Sequence, residues 1–281
     1  MLATAKAILR DILPPALLRV LTVRRGSGTP NDGSEFSVAI TGSRKGKLIL
    51  NSQIAFCHRQ TRADLGVIEQ VFQRKEYWLG HLQRDAEIRA FYKSCSEPLI
   101  IDCGANIGAT SIWFALEFPR SRVLAIEPEE GNFVLLERNV SSLSSVLPIK
   151  AGVASRPGAL VVSDPGLGEW AYRTSVAQPT TAGSTVPAVT VAELLREHRG
   201  SPFILKIDVE GAEQDLFSVE DPAFDLFPVI VIEFHDWMFP KEAVSRNFLR
   251  WHSARNRDFV VIGENVFSIA NEIRANVTGN R

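Results

Sequence analysis

The sequence is short of several features that would point to a particular class of protein. Its three cysteines, Cys57, Cys95 and Cys103, show no paired or metal-type spacing, which argues against a disulfide scaffold and fits a reducing cytoplasm. The formal net charge is −1, so we expect no nucleic-acid partner, since such proteins usually carry a basic surface. No apolar run reaches the roughly 18 to 20 residues that span a bilayer. The composition is instead that of a globular protein, with 45% hydrophobic and 22% charged residues.

The first 34 residues differ from the rest and predict a basic amphipathic arm followed by a linker. Residues 1–25 hold five basic side chains against one acid, with Leu, Ile and Val at helical spacing on both sides of Pro14 and Pro15. No continuous apolar region with a small-residue cleavage site is seen, so a secretory signal is not expected. Two interpretations stay open. The arm packs on the domain or on a second copy in a homo-oligomer, or it anchors a cytoplasmic protein at the inner face of a membrane.

The remaining chain predicts a cap region and an α/β domain. Residues 35–97 indicate short strands and helices, and residues 155–190 an insertion that can run over the ligand crevice. Uniformly apolar runs separated by mostly helical segments are typical of a parallel sheet buried on both faces. These runs are Leu99–Ile101, Val123–Ile126, Val146–Ile149, Ile204–Ile207 and Val229–Ile232. Two further runs joined by Gly263, Glu264 and Asn265 predict a C-terminal antiparallel hairpin. The fold class expected is therefore a mostly parallel Rossmann-like sheet with an antiparallel hairpin strand and a helical N-terminal extension.

A glycine loop lies between two acids at the ends of the first two strands. Asp102 ends the first strand, and Gly104 and Gly108 let the chain turn sharply and approach a ligand closely. Glu127 ends the second strand, where a carboxylate can accept hydrogen bonds from ribose hydroxyls. Because ligands bind at the carboxyl ends of parallel strands, the pattern predicts a nucleoside site.

The loop favours S-adenosylmethionine over a dinucleotide. The Gly-x-Gly-x-x-Gly spacing that places helix amides on a pyrophosphate is missing. An acid at Asp102 instead suits an ammonium or a sulfonium group. A nucleotide-binding oxidoreductase is the remote alternative. The predicted cofactor-binding residues are Asp102, Gly104, Ala105, Asn106, Gly108, Glu127 and Pro128.

The sequence resembles the FkbM family of S-adenosylmethionine-dependent methyltransferases. The resemblance runs from about Tyr77 to Ile269 and rests on "IIDCGANIG", "AIEPEEGNFVLLERN", "GVAS", "FILKIDVEGAE" and "VIVIEFH", in that order. It implies a class I methyltransferase fold, with residues 98–281 as the S-adenosylmethionine-binding domain. It also implies O-methylation of a hydroxyl on a sugar, glycan or glycolipid. The alternatives are a polyketide, peptide or other small-metabolite acceptor, and a binding module without activity.

Polar residues at the ends of the fourth and fifth strands predict the chemistry. Lys206, Asp208 and Glu210 alternate after the fourth strand, and Glu233 and His235 after the fifth. An attacking hydroxyl needs a base, and His235 is favoured over Asp208 because imidazole titrates near neutrality. Lys206 would orient Asp208 or stabilise the alkoxide, while Glu210 and Glu233 would bind the acceptor. The alternative is a set of ion pairs that fixes the loops.

Two further assignments concern a metal ion and stacking faces for the acceptor. Asp208, Glu210, Glu233 and His235 carry the groups that bind Mg²⁺, but their spacing does not require an ion, and a metal is not favoured. Aromatic residues could offer stacking faces to a sugar acceptor or simply pack in the core. They are Tyr77, Trp78, Trp170 and Tyr172.

Overall fold

The structure is a computed structural model that describes residues 40–44, 47–50, 54–163, 173–176 and 184–273. These residues divide into two compact units between Arg74 and Lys75. The predicted arm and helical extension, and the side chains of Trp170 and Tyr172, lie outside the described residues. Within them, no helix is long and apolar enough to cross a membrane. The domain boundaries predicted at residues 34 and 97 stay predictions.

The first unit contains a small antiparallel sheet and a helix. Its strands, in spatial order, are β1 (Ile40–Arg44), β2 (Lys47–Leu50) and β3 (Ile54–Cys57). Helix α1 (Arg62–Ile68) begins where the Thr61 side chain accepts a hydrogen bond from the Asp64 amide, and a π-helical turn (Glu69–Gln73) continues it. Phe56 and Phe72 pack edge to face and are buried, which gives this unit its own apolar centre.

The second unit carries the larger sheet and an inserted one. Its strands are β4 (Pro98–Cys103), β5 (Arg122–Ile126), β6 (Val146–Ile149), β7 (Gly152–Val153), β8 (Gly158–Ser163), β9 (Arg173–Val176), β10 (Ser184–Val189), β11 (Ser201–Ile207), β12 (Val229–Glu233), β13 (Arg257–Ile262) and β14 (Asn265–Ala270). Its helices are α2 (Asp85–Ser94), α3 (Ala109–Glu117), α4 (Glu130–Val140), α5 (Val191–Glu197), α6 (Glu213–Leu216) and α7 (Arg246–Ser253), with 3₁₀ turns at Leu79–His81 and Pro222–Leu226.

The larger sheet has the order β13-β14-β12-β11-β4-β5-β6. Strands β12, β11, β4, β5 and β6 are parallel, and β14 runs antiparallel between β12 and β13. The predicted mostly parallel Rossmann-like sheet is thereby confirmed, because each apolar run lies within one of the parallel strands and the hairpin forms the antiparallel edge. The chain proceeds from β4 through β5 to β6 and then returns to β11 beside β4. This reversal opens a crevice at the carboxyl ends of β4 and β11, which is where such sheets bind ligands.

Strands of the predicted insertion, residues 155–190, pair with β7 to form a separate four-stranded sheet in the order β7-β10-β8-β9. Strand β8 pairs antiparallel with both β9 and β10, and β10 pairs parallel with β7. Sequence reasoning did not assign these strands. Many of their residues are small or polar and lie among glycine and proline, so the apolar signal is weaker than in the strands of the larger sheet.

Candidate active site

A buried ion pair lies beneath the glycine loop. The strand register places Lys206 of β11 opposite Asp102 of β4, with Nζ 3.1 Å from Oδ1. Lys206 Nζ also donates to the Gly104 carbonyl at 2.6 Å, and Ser111 Oγ donates to Asp102 Oδ2 at 2.6 Å. Burial lowers the pKa of Lys206, but the carboxylates of Asp102 and Asp208 outweigh it and hold that pKa well above its ordinary value. The ammonium group therefore stays charged and fastens the loop to β11.

The glycine loop touches the turn that follows β11. Gly104 has φ +80°, and a Cβ atom there would lie 1.8 Å from the backbone oxygen of Asp208. The amides of Gly104 and Ala105 both donate to the Ile126 carbonyl at the end of β5. Only glycine fits such a left-handed position against another backbone. The loop therefore joins the ends of three strands.

Glu127 links the glycine loop to the turn after β5. Its Oε2 accepts a hydrogen bond from the Asn106 amide at 2.8 Å, and its Oε1 accepts one from the Glu129 amide at 2.9 Å. Burial raises the pKa of Glu127 to about 7, although the amide hydrogen bonds from Glu129 and Asn106 oppose the shift. The carboxyl group is therefore partly protonated at neutral pH, and its surroundings favour a ligand that hydrogen-bonds to it.

An open cleft lies between these loops, at the end of the sheet where parallel α/β folds bind ligands. Four of the seven predicted cofactor residues line it, namely Gly104, Asn106, Glu127 and Pro128. Asp102, Ala105 and Gly108 are buried beneath the lining. The wall also contains residues that sequence reasoning did not identify, namely Ile126, Asn132, Ala151, Gly152, Val153 and Val209. The sequence could have indicated most of these residues, because they lie in or beside the motifs "EPEEGNF", "GVAS" and "DVEG".

His235 lies among carboxylates at the ends of β11 and β12. Its Nδ1 is 2.7 Å from Oε1 of Glu213, a fully buried residue at the start of α6. Its Nε2 faces Asp208 Oδ1 at 3.5 Å and Glu233 Oε1 at 3.7 Å. Glu213 also accepts hydrogen bonds from the Gly211 amide. Sequence reasoning missed Glu213, although an acid in the motif "VEGAE" before an apolar helix was a usable signal.

The charge state of His235 differs from the sequence expectation of a group that titrates near neutrality. Burial lowers the pKa of His235, but the hydrogen bond to Glu213 and the charges of Asp208 and Glu233 raise it to about 9. The imidazole of the free protein is therefore protonated at neutral pH. A base built on this residue becomes available only at higher pH or beside another positive charge.

Three of the four residues considered as Mg²⁺ ligands lie close together in the structure. Ligand atoms of Asp208, Glu233 and His235 lie within 4.8 Å of one another, close enough to share a divalent ion. Glu210, the fourth residue considered for Mg²⁺, is outside this group. The same three residues also form an imidazolium with two carboxylate neighbours, so the geometry accommodates both arrangements.

The aromatic residues predicted as stacking faces for the acceptor differ in how exposed they are. Tyr77 is 1% exposed and packs edge-on against Phe114, so its ring offers no open face to an acceptor. Trp78 is partly exposed and packs against His81, with Lys75 above its ring. Trp237, which sequence reasoning gave no role, is 76% exposed two residues after His235.

Comparisons with known proteins identify a family and two relatives. The family described as "Methyltransferase FkbM domain" matches residues 102–261, more than half of the chain. Methyltransferase sdnD of Sordaria araneosa is 29% identical over 200 residues, 59% of this chain and 75% of that protein. Methyltransferase 1 of Beauveria bassiana (strain ARSEF 2860) is 26% identical over 166 residues, 50% of this chain and 66% of that protein. The crystal structure of precorrin-6y C5,15-methyltransferase from Geobacter metallireducens GS-15 is similar at 10% identity and a TM-score of 0.39, over 78% of this chain and 93% of that chain.

Proposed function

This chain belongs to the methyltransferase FkbM family, and from that premise we propose that it methylates a hydroxyl of a sugar, glycan or glycolipid with S-adenosylmethionine. The observation that carries the proposal is the position of Asp208. This residue lines the cleft and lies 3.5 Å from Nε2 of His235. Asp208 and the neighbouring imidazole of His235, two candidate bases, are thus next to the place where a methyl donor would bind. Family membership also removes the oxidoreductase alternative.

The residues of the cleft fit the proposed donor. Gly104, Asn106, Glu127 and Pro128 would hold it, with Glu127 offering its remaining acceptor capacity to ribose hydroxyls. Gly104 leaves space that a side chain would fill. S-adenosylmethionine supplies an electrophilic methyl group when bound. The direct contact predicted for Asp102 stays a prediction. From beneath the loop, this carboxylate would act through Lys206 and the backbone they hold.

His235 is the proposed general base. Glu213 holds Nδ1, which orients the ring and leaves Nε2 directed toward Asp208 and the acceptor side of the cleft. In its neutral form, which higher pH or the positive charge of a bound donor would favour, Nε2 would take the proton of the attacking hydroxyl. Asp208 would hold that hydroxyl, and Lys206, 3.4 Å from Asp208, would balance its charge.

The acceptor would be bound by polar groups at the mouth of the cleft. Glu210 lines the cleft, and Glu233 lies beside His235. Trp78 remains a stacking candidate, as do Trp170 and Tyr172 outside the described residues. A polyketide, peptide or other small metabolite with a free hydroxyl would use the same base. The second candidate mechanism has a divalent ion on Asp208, Glu233 and His235, which the close approach of their ligand atoms supports.

The decisive experiment compares His235→Ala with wild type. Methyl transfer from radiolabelled S-adenosylmethionine to glycan, glycolipid and polyketide acceptors would identify the acceptor. On it, His235→Ala should lower kcat by about 10²- to 10⁴-fold while affinity for S-adenosylhomocysteine stays nearly constant. His198→Ala is the matched control, because His198 ends α5 near the opposite end of β11 from Lys206. A near-wild-type kcat in His235→Ala would show that His235 is not the general base and would assign that role to Asp208. Loss of activity in EDTA that Mg²⁺ or Mn²⁺ restores would favour the metal mechanism.

A further inference from the structure

Exposed apolar side chains are concentrated around helix α7 and strand β13. Seven large apolar residues are exposed among the residues that the structure describes, and four of them lie in the stretch from Trp237 to Val261. They are Trp237, Leu249, Phe259 and Val261, with exposed fractions of 76%, 43%, 44% and 62%. Single exposed apolar residues are normal on protein surfaces, whereas a group of them marks contact with a partner or a membrane. The grouping therefore indicates a contact surface.

Three of these side chains form one patch. Phe259 and Val261 are two residues apart on β13 and so point to the same face of the sheet. The Phe259 ring packs edge-on against His252 of α7, with ring centroids 5.1 Å apart. Leu249 lies three residues before His252, on the neighbouring turn of the helix. The patch therefore extends from the edge strand of the sheet across one side of α7.

The charge beside this patch is positive. Arg246 and Arg250 are exposed on α7, three residues before and one residue after Leu249. The helix contains no acidic residue, and neither arginine has an ion-pair partner within the part of the chain that the structure describes. Asp258 of β13 pairs with Arg84 instead. We call the set the α7–β13 face, and its residues are Arg246, Leu249, Arg250, Phe259 and Val261.

The charge of the α7–β13 face separates two possible occupants. A second copy of the chain bound about a two-fold axis would bring the same patch of both molecules together. Arg246 and Arg250 of each copy would then share one interface in which the patch supplies no acid, and such like-charge contacts disfavour association. A lipid surface with negative headgroups supplies the missing charge, and its acyl chains accept the apolar side chains.

We propose that the α7–β13 face contacts an anionic membrane surface, with its apolar side chains at the level of the acyl chains and its two arginines on the phosphate headgroups. Three apolar side chains bury little area, so the contact is weak and reversible. It orients the molecule on the membrane, and a titration with lipid detects it better than sedimentation does.

The position of this face bears on the acceptor. The Asp236 side chain, next to His235, accepts a hydrogen bond from the Ser245 amide at the start of α7, with a distance of 3.2 Å. The end of β12, where His235 lies, is thereby tied to the helix that carries the two arginines. A molecule resting on this face would hold His235 near the membrane, which favours a glycolipid acceptor. That consequence rests on the proposed function, whereas the membrane contact itself does not.

The test places a nitrobenzoxadiazole label, which brightens in an apolar environment, on the full chain at Leu249→Cys. The native cysteines are buried, and wild type treated with the same reagent gives the background. Val134→Cys is the matched control, because Val134 is an apolar residue of α4 with an exposed fraction of 53%, and α4 packs on β6 at the other edge of the sheet. Each protein is titrated with phosphatidylcholine vesicles that contain or lack phosphatidylglycerol.

Vesicles with phosphatidylglycerol should brighten the label of Leu249→Cys and shift its emission to shorter wavelength, while that of Val134→Cys stays unchanged. Adding Arg246→Gln and Arg250→Gln to Leu249→Cys should raise the lipid concentration at half-maximal response by about 10- to 30-fold. Affinity for S-adenosylhomocysteine, measured by calorimetry, should stay the same in every variant, and circular dichroism should show that each is folded.

Four results would overturn the proposal. They are no response in Leu249→Cys, an equal response in Val134→Cys, an equal response to vesicles without phosphatidylglycerol, and an unchanged lipid requirement in the arginine variant. A response that grows with protein concentration in the absence of vesicles would assign the face to a second copy instead. Failure of wild type to bind S-adenosylhomocysteine would overturn the proposed function and leave the membrane contact standing.

Discussion

Individual carboxyl groups in and beneath the cleft have different surroundings. Asp102 is paired with Lys206 and Ser111, whereas Glu127 is buried among backbone amides and Glu210 among other acids. The pKa is raised to about 7 for Glu127 and to about 9 for Glu210. Two glutamates in the wall of one cleft therefore lose their protons over different pH ranges.

Removal of the Glu127 carboxyl group should weaken cofactor binding. Glu127→Ala leaves ribose hydroxyls without their acceptor and frees the Asn106 amide, so affinity for S-adenosylmethionine should fall by about 1.5 to 3 kcal/mol. Calorimetry measures the change. Glu130→Ala is the control, because Glu130 follows three residues later, is exposed and pairs with Lys150. Unchanged affinity in a folded Glu127→Ala protein would rule out this placement of the ribose.

The pH dependence of kcat/KM should report His235. A base must be deprotonated, so kcat/KM, which reflects the free enzyme, should rise with pH through a group titrating near the pKa of about 9. This limb should vanish in His235→Ala. Glu213→Gln removes the carboxylate that stabilises the imidazolium, so it should move the limb to lower pH. A limb that stays in place in both variants would assign the titration to another group.

At the scale of elements, the loops after β4 and β11 act as one structure because Gly104 contacts the backbone of Asp208. In Gly104→Ala, the new Cβ atom meets a carbonyl group that cannot rotate away, at a left-handed φ. We expect a loss of about 2 to 4 kcal/mol in the free energy of unfolding, measured by urea denaturation. Gly131→Ala in α4 is the control. There the nearest atom is a carboxylate oxygen of the Glu129 side chain, at 3.1 Å and not part of the backbone, and alanine suits a helix. Equal stability of the two variants would show that the loop adapts.

The elements that sequence reasoning located are those with a local signal. The strands carrying Ile101, Ile126 and Ile232 are continuous apolar runs, and the hairpin at Gly263 has a turn residue between two β runs. The site was located only in part, because contacts such as that between Glu213 and His235 join residues 22 apart. Nor does the sequence reveal that carboxylates surround His235 and raise its pKa. That effect needs the register of neighbouring strands and the burial of α6.

At the scale of the whole molecule, the buried acid of Glu210 should make stability fall with rising pH. Its pKa is higher in the folded protein than the ordinary 4.5. Its contribution is therefore fully present below about pH 4.5 and is lost as pH rises toward 9. Glutamine does not titrate, so Glu210→Gln should melt about 3 °C or more above wild type at pH 8.5. The difference should shrink toward pH 4.5. A constant difference across this range would mean that Glu210 is ionised throughout.

The arm over residues 1–25 should govern association with membranes if its basic amphipathic pattern is an anchor. Deletion of these residues should abolish sedimentation with anionic vesicles, because both the apolar side chains and the positive charges are removed. Methylation of a soluble acceptor should continue. Equal sedimentation of the full chain and the deletion would remove the anchor proposal, and a change of oligomeric state would favour packing against a second copy.

The place of β14 in the larger sheet imposes an order on biosynthesis. The ribosome makes β13 before β14, yet β14 is the strand that pairs with β12, and β13 joins the sheet through β14. Until about residue 270 has emerged, the nascent chain has an unpaired edge at Val229–Glu233. Such an edge is a template for pairing with other chains. A chain truncated before Asn265 should therefore leave this edge open and aggregate more readily than the full chain.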